Sequence, residues 1–556
     1  MNKKVLEINQ IFSLAIENHK KNNFDLAESL YKKILKIDHN HFQTTFLLGT
    51  LLSQKKNYEE AKVMLGKAIQ IQPNHADSLH NLGSVFIECG EPKNAIKLLN
   101  KVIEININHA DAYYNLGNAY KQLRNFSKAE ENYKLAIKVL PNNPKAYNNL
   151  ANVQKELGFL KEAINSYNKA IQIQPNHARA YHNLGNAFKQ LGDFEKAKNS
   201  YQKSFQFQPS NLETLDALSN LDHEILDLNI KNKIKNMMKI EKISKNNSAY
   251  GNFLLAKYEL QQKNFENEFN FLIKGHSDYY DFKKKIYDKG VEYWLNQLPE
   301  IEQLMNMGQT QKGYKKNKYN IRPIFIVGVP RCGSTLIEKI IASGQRKISI
   351  GEETAIISTV VGDEIIKRPT DTLDIQSLNT RIVEEYKQKK LIFENNNSNF
   401  TDKSLDNFFF IGFIKEIFPL AKIINCKRSA ISSIISILKN NLGDVAWAHN
   451  LDHIFKYFDI YYKKIDIFKK IFPGSIYELQ LEKFVKKPEI ESKKLMEFCD
   501  LPWNKKCLEF YKRKDFVSRT ASNIQIRKAI YQDSEDKNLP YKQFLNTYSQ
   551  KYHWFN

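Results

Sequence analysis

Two kinds of sequence order, one after the other, predict a multidomain chain: an all-α solenoid, then an α/β domain with a parallel sheet and a P-loop-type turn. The first observation is a period of 34 residues over the N-terminal part. The second is an apolar, β-branched run, Ile324 to Val327, that breaks into a Gly/Pro-rich turn. Leu336, Ile337, Ile340 and Ile341 then recur at helical spacing. The third is Ala421-Lys422-Ile423-Ile424-Asn425-Cys426, which reads as a second parallel core strand ending in Lys427-Arg428.

The period is carried by small residues. Leu48-Gly49, Leu82-Gly83, Leu116-Gly117, Leu150-Ala151 and Leu184-Gly185 stand 34 apart, and so do Ala27, Ala61, Ala95, Ala129, Ala163 and Ala197. Tyr31, Tyr133, Tyr167 and Tyr201 follow four residues after the alanine, and Pro73, Pro141, Pro175 and Pro209 end units. Such spacing describes antiparallel helix pairs that meet at Gly and Ala, with an aromatic above them and a proline stopping the second helix. The pattern resembles the tetratricopeptide repeat (TPR), in six units over about residues 8–211. A helix over Leu212 to Asp227 is expected to cap the stack, giving a solenoid over 1–227. Residues 228–320 read as a helical connector, with a helical pair around Phe253 to Leu272. Gly308 to Asn320 is polar and lysine-rich, a linker into a domain over 321–556.

A TPR array implies a protein or peptide ligand; a scaffold that orients the second domain or holds a homodimer fits equally well. Tyr114, Asn115, Asn118, Asn149, Asn152, Asn183 and Asn186 recur on first helices, where asparagine suits an extended peptide backbone. The Asn-rich composition offers a plainer reason.

Charge and cysteine content narrow the partners. The net charge is +22, which favours anions, but the excess is dispersed lysine without aromatic-laced basic blocks. No nucleic-acid partner is expected. Five scattered cysteines without a C-x-x-C fit a reducing compartment and no structural zinc. No metal is expected. With no span-length apolar run and no leader-like N-terminus, a cytoplasmic protein is expected.

The turn after Ile324–Val327 is the chemical centre. Gly328 and Gly333 take the glycine places of G-x-x-x-x-G-K-[ST] and Thr335 the last, but Ser334 stands where the lysine belongs. The cation is Arg331 instead, which disfavours a P-loop kinase or NTPase. A loop of backbone N–H groups in front of a helix N-terminus still suits a phosphate.

Pro330-Arg331-Cys332-Gly333-Ser334-Thr335-Leu336 resembles the P-R-S-G-T-T-L loop of sulfotransferases, which binds the 5′-phosphosulfate of 3′-phosphoadenosine 5′-phosphosulfate (PAPS). The resemblance implies that Arg331, Cys332, Gly333, Ser334 and Thr335 hold that end. Gly351-Glu352-Glu353-Thr354 is similar to a segment of protein-tyrosine sulfotransferases whose second glutamate, here Glu353, is the general base. Phe400 to Ser404, expected to open a helix running toward Phe418-Pro419, supplies Lys403 for the transferring sulfuryl group. Arg428 and, eight residues on, Ser436 match the family's 3′-phosphate site. Glu482, Phe484 and Pro488 are similar to Y-E-x-L-V-x-x-P, with Leu481 in place of the tyrosine. Arg519 to Lys528 resembles the cofactor-closing segment, which gives Ser522 and Lys537 their roles; Asn538 stands where tryptophan is usual.

The expected activity is therefore transfer of a sulfuryl group from PAPS to an acceptor hydroxyl, with Glu353, Arg331, Lys403 and Ser522 catalytic. Tyrosine in a protein or peptide is the first acceptor class, and a carbohydrate or lipid hydroxyl the second. A TPR adaptor with an inactive enzyme domain is the competing class. The presence of Arg331, Glu353, Lys403, Arg428 and Ser436 speaks against it.

Overall fold

The computed structural model describes residues 3–240, 242–301, 321–344, 348–367, 373–392, 399–513, 525–530 and 535–555. The chain divides into two compact units, one of 1–189 with 193–209, the other of 190–192 with 210–556.

The first unit is the helical repeat array. Its helices run from Lys3–Lys20 to Phe194–Phe207, and consecutive helices pack as hairpins. The repeated glycines are there for close approach. A Cβ on Gly117 would lie 2.6 Å from Tyr133 Cε1, and one on Gly185 2.6 Å from Tyr201 Cε1. Ala27, Ala61, Ala95, Ala129, Ala163 and Ala197 are all fully buried.

The inner-face asparagines are tied to the array itself. The hydroxyls of Tyr133, Tyr167 and Tyr201 donate to Asn118, Asn152 and Asn186 at 2.7, 2.6 and 2.7 Å. Asn115 donates to Ser84 at 2.8 Å, Asn149 to Asn118 at 3.1 Å, and Asn183 to Asn148 at 3.0 Å. These amides join repeat to repeat, a local role that the peptide-backbone expectation did not include.

A second periodic device caps the first helices. His41, His75, His109 and His177 accept through Nδ1 from the backbone N–H of Thr44, Ser78, Ala112 and Ala180, at 3.3, 3.1, 3.1 and 3.4 Å. Asn143 and Asn211 do the same through Oδ1. Imidazole serves as an N-cap here only with Nδ1 unprotonated.

The second unit holds the sheet. Its strands are β1 (Ile324–Gly328), β2 (Ser349–Ile350), β3 (Phe400–Asp402), β4 (Lys422–Lys427) and β5 (Ile476–Gln480). All pairings are parallel, in the order β2-β3-β1-β4-β5. β1 is central and buried along its whole length, hence its unbroken apolar run. From β1 the chain moves to one side for β2 and β3, then to the other for β4. The topological switch point is therefore at the carboxyl end of β1.

Phe400–Asp402 is a strand, not the opening of a helix. Ile324 pairs with Thr401 and Phe325 with Asp402, and helix resumes only at Leu405–Phe410 and Ile411–Ile417. The helix expected as the solenoid cap, Leu212–Ser219, falls in this unit. Its Leu212 N–H donates to Asn247 at 3.3 Å, and its Asp216 takes Lys257 at 2.6 Å. The expected helical pair is Lys245–Gln261 and Phe265–Phe282. The linker reading, 308–320, lies outside the described residues.

A histidine pair fastens the second of these helices to the sheet domain. His276 Nδ1 meets His449 Nδ1 at 2.9 Å, and His276 Nε2 reaches the Leu438 carbonyl at 2.8 Å. Burial lowers both, His276 to about 4 and His449 to about 3, His276 adding to the effect on His449.

Two expectations follow. Gly117→Ala should destabilise the array by about 1–3 kcal/mol, because its methyl overlaps the Tyr133 ring. Gly66→Ala, whose Cβ meets nothing within 4 Å, should stabilise it by roughly 0.5–1 kcal/mol. Urea denaturation compares the two. For the histidine pair, the folded state stays neutral while unfolded imidazoles take up protons below about pH 6.5. Stability is intact above that pH and erodes as pH falls toward 4, by about 2 kcal/mol per imidazole at pH 5. Melting curves of His276→Gln should show a shallower pH dependence than wild type.

Candidate active site

The carboxyl end of β1 runs into the loop Gly328–Thr335, from which the helix Ser334–Gly344 departs. Gly328 is required by crowding: a Cβ there would meet the Cys426 carbonyl at 2.7 Å and Cys332 Sγ at 2.8 Å. Gly333 combines φ +92° with a contact of 2.7 Å from its would-be Cβ to Leu481 Cδ1. Leu481, placed where a tyrosine was expected, thus packs on the loop. Arg331 adopts φ 71°, a left-handed conformation unusual for a side-chain-bearing residue.

That turn brings three of the sequence-predicted residues together. Arg331 Nε donates to Ser436 Oγ at 2.9 Å, and Arg428 Nη1 donates to the Arg331 carbonyl at 3.1 Å. Arg428 follows β4, and Ser436 sits on the helix Ala430–Lys439. Glu482 accepts from the Ser429 N–H at 2.8 Å and so fixes the start of that helix. Two guanidinium groups, a hydroxyl and the helix N-terminus at Ser334 therefore share the switch point, an arrangement that suits phosphate groups.

The Cys332 side chain is fully buried against Cys426, so only its main chain is offered to the loop. The neighbouring Cys426 thiol, and then Ser334, hold the Cys332 thiol below its ordinary range against the effect of burial; Cys426 is pushed up in turn.

The second cluster lies where β2 and β3 end. Lys403 Nζ is 2.7 Å from Glu353 Oε1; the lysine is fully buried and the glutamate side chain is 55% exposed. Burial alone would lower the ammonium, but Glu353, Glu338 and Glu352 outweigh it and hold Lys403 above its usual value. In such a pair the solvent-facing carboxylate can accept a proton while the ammonium beside it stabilises anionic oxygens. Asp402 braces the strand end. It accepts from Thr354 Oγ1 at 2.6 Å, from the Tyr386 hydroxyl, and from the Ser404 N–H at 2.9 Å. Nearby, burial pushes the Asp406 carboxyl up to about 6, with Asp402 and Glu353 adding to it.

The tail is described only in part. Ser522 lies outside the described residues. Lys537 is exposed, and the neighbouring Asn538 is buried and donates to Ser432 Oγ at 2.9 Å. Sequence reasoning passed over Glu338 and Lys339, both buried on the loop helix. A signal existed: a helix between a phosphate loop and a sheet interior buries most of its circumference, so a Glu-Lys pair within it needs partners.

Parallel sheet, switch-point loop and flanking arginines define an α/β domain with a P-loop-type turn. Residues 323–505 match the Sulfotransferase family. Residues 43–75, 110–143 and 178–211 match the tetratricopeptide repeat, and 83–123 and 155–192 a TPR repeat family. The chain thus carries a Sulfotransferase family domain behind TPR repeats. An uncharacterised protein of Aquifex aeolicus (strain VF5) is 29% identical over 324 residues, 54% of this chain but 41% of that relative, so the match spans less than half of the relative's length. Among solved structures, MamA from Desulfovibrio magneticus RS-1 is 20% identical, covering 32% of this chain and 98% of its own with a TM-score of 0.30. YrrB, a TPR protein with an unusual peptide-binding site, is 22% identical over 34% of this chain and 96% of its own, TM-score 0.29. Among the described residues no helix is long and apolar enough to cross a membrane.

Asp402 and Lys403 differ in what they contribute to stability. Asp402→Ala would strand two buried hydroxyls and an N–H, and should lose about 3 kcal/mol in urea denaturation. Lys403→Met keeps the stem volume while Glu353 turns to water, and should stay within about 1 kcal/mol of wild type.

Proposed function

We propose that the second unit transfers the sulfuryl group of PAPS to an acceptor hydroxyl, most directly the phenol of a tyrosine in a protein or peptide. The Sulfotransferase family domain supports sulfuryl transfer as the chemistry. The observation that carries the donor is the gathering of Arg331, Arg428 and Ser436 around one loop. A nucleotide phosphorylated at both its 5′ and 3′ positions matches two arginines, a hydroxyl and a helix N-terminus. Ser334 in the lysine position of a Walker loop argues against a triphosphate.

In this mechanism Ser334, Thr335 and the loop N–H groups take the 5′-phosphate, while Arg428 and Ser436 take the 3′-phosphate. Glu353 removes the proton of the acceptor hydroxyl, whose oxygen attacks sulfur. The bond from sulfur to the bridging phosphate oxygen breaks, and adenosine 3′,5′-bisphosphate leaves. Lys403, Arg331 and, from the tail, Ser522 neutralise the sulfuryl and leaving oxygens; Lys537 closes over the 5′ end. Placement of fixed charge supplies most of the acceleration. The array supplies a protein-binding surface that brings acceptors to the enzyme.

The test is incubation of the full chain with ³⁵S-labelled PAPS and three acceptors: tyrosine-bearing peptides, oligosaccharides and lipid extract. Label is expected in the peptides. Glu353→Gln should reduce transfer by about 10²-fold or more, the usual range for a general base. Label in oligosaccharide or lipid alone would move the acceptor assignment; no transfer from PAPS to any acceptor would end the reading.

A further inference from the structure

One buried ionisable group beside the site has no part in the mechanism above. Glu338 is fully buried on the loop helix, one helical turn after Ser334. Its Oε1 accepts from the Glu352 backbone N–H at 3.1 Å and from Thr401 Oγ1 at 2.8 Å. Thr401 belongs to β3, and Glu352 precedes Glu353, so one carboxyl oxygen joins three segments.

Glu352 is a residue that needs holding. Its φ is 54°, left-handed backbone that disfavours a side-chain-bearing residue by roughly 1–2 kcal/mol. Each of its polar groups has a partner. The N–H goes to Glu338, the carbonyl accepts from the Lys403 N–H at 2.7 Å, and Oε1 accepts from Lys339 Nζ at 3.2 Å. Two consecutive residues of the loop helix, Glu338 and Lys339, therefore grip the turn. Gly351 is pressed against β3 in the same place, since a Cβ there would lie 2.1 Å from the Thr401 carbonyl.

We propose that Glu338 is a positioning residue. Its carboxyl clamps the left-handed turn at Glu352 onto β3 and so sets the spacing of Glu353 and Lys403. The clamp also links the two halves of the reaction. Ser334, at the mouth of the phosphate loop, and Glu338 lie at i and i+4 on one helix, so the donor's 5′ end and the base are referenced to the same rigid turn. A shift of the turn would move Glu353 by an ångström or so, enough to reduce turnover by about 10²-fold without touching donor affinity. The role rests on the sulfuryl-transfer reading; the clamp geometry does not.

The experiment uses the full chain in three forms: wild type, Glu338→Leu, which keeps volume and loses both acceptors, and Glu338→Gln, which keeps Oε1. Three readings are taken. They are kcat and KM for label transfer from PAPS to a tyrosine peptide, affinity for adenosine 3′,5′-bisphosphate, and hydrogen exchange of the segment 348–355. The leucine variant should lose at least 30-fold in kcat, hold its bisphosphate affinity within threefold, and lose exchange protection at 348–355. The glutamine variant should recover most of the kcat and the protection. Wild-type kcat and protection in Glu338→Leu would overturn the proposal. So would equal losses in the two variants, or loss of bisphosphate affinity in step with kcat. Should Glu338→Leu not fold, Thr401→Val removes one of the two donors: reduced kcat at constant bisphosphate affinity supports the clamp, and unchanged kcat and protection refute it. A wild type that transfers no label, with protection still lost in the leucine variant, would end the sulfotransferase reading and leave the clamp standing.

Discussion

The left-handed turn at Arg331 is the constraint on which the site depends. Reversal of the backbone there, φ 71°, turns the Arg331 carbonyl toward Arg428 and its guanidinium toward Ser436. Such a conformation disfavours a side-chain-bearing residue by roughly 1–2 kcal/mol. Hydrogen bonds to charged groups contribute about 1.5–3 kcal/mol each, so the two that Arg331 makes outweigh the strain. Gly328 and Gly333 on either side leave room for β4 and Leu481 to close in. That turn ties the end of β1 to the segment after β4 and to the helix carrying Ser436.

A second strained turn, at Glu352, performs the corresponding task for the other half of the site. It too is non-glycine, and it too is fastened from a neighbouring element, by Glu338, Lys339 and the Lys403 N–H. The two turns are joined by one helix. This gives the α/β unit a simple logic: strained loops are held by side chains from elements that the parallel sheet has already fixed.

Much of this was legible in the residues, for physical reasons. A solenoid is stabilised by nearest-neighbour packing, so its geometry is written as spacing, and Gly117 opposite Tyr133 reads directly. β1 reads as an apolar run because a central parallel strand is covered on both faces, and Arg331 and Arg428 could be placed at strand ends, with Ser436 on the helix that follows. Other features depend on long-range partners. Phe400–Asp402 is three residues long, and only pairing with β1 and β2 makes it a strand. Glu338 looks like a solvated helix residue until the sheet edge is present to bury it. Cys332 was grouped with the phosphate loop by position, whereas its side chain faces Cys426. The inner-face asparagines read as peptide ligands, yet their amides already bind tyrosine hydroxyls and other asparagines within the array. The histidine caps were visible at the repeat period, but histidine is not a residue one looks to for capping.

The central claim is that Arg331, Arg428 and Ser436 together recognise a ribose phosphorylated at both ends, and calorimetric titration of the full chain tests it most directly. Adenosine 3′,5′-bisphosphate should bind at least tenfold more tightly than adenosine 5′-phosphate, with the difference removed in Ser436→Ala and Arg428→Ala. ATP binding as tightly as the bisphosphate, or a preference for the bisphosphate that survives both substitutions, would contradict the account.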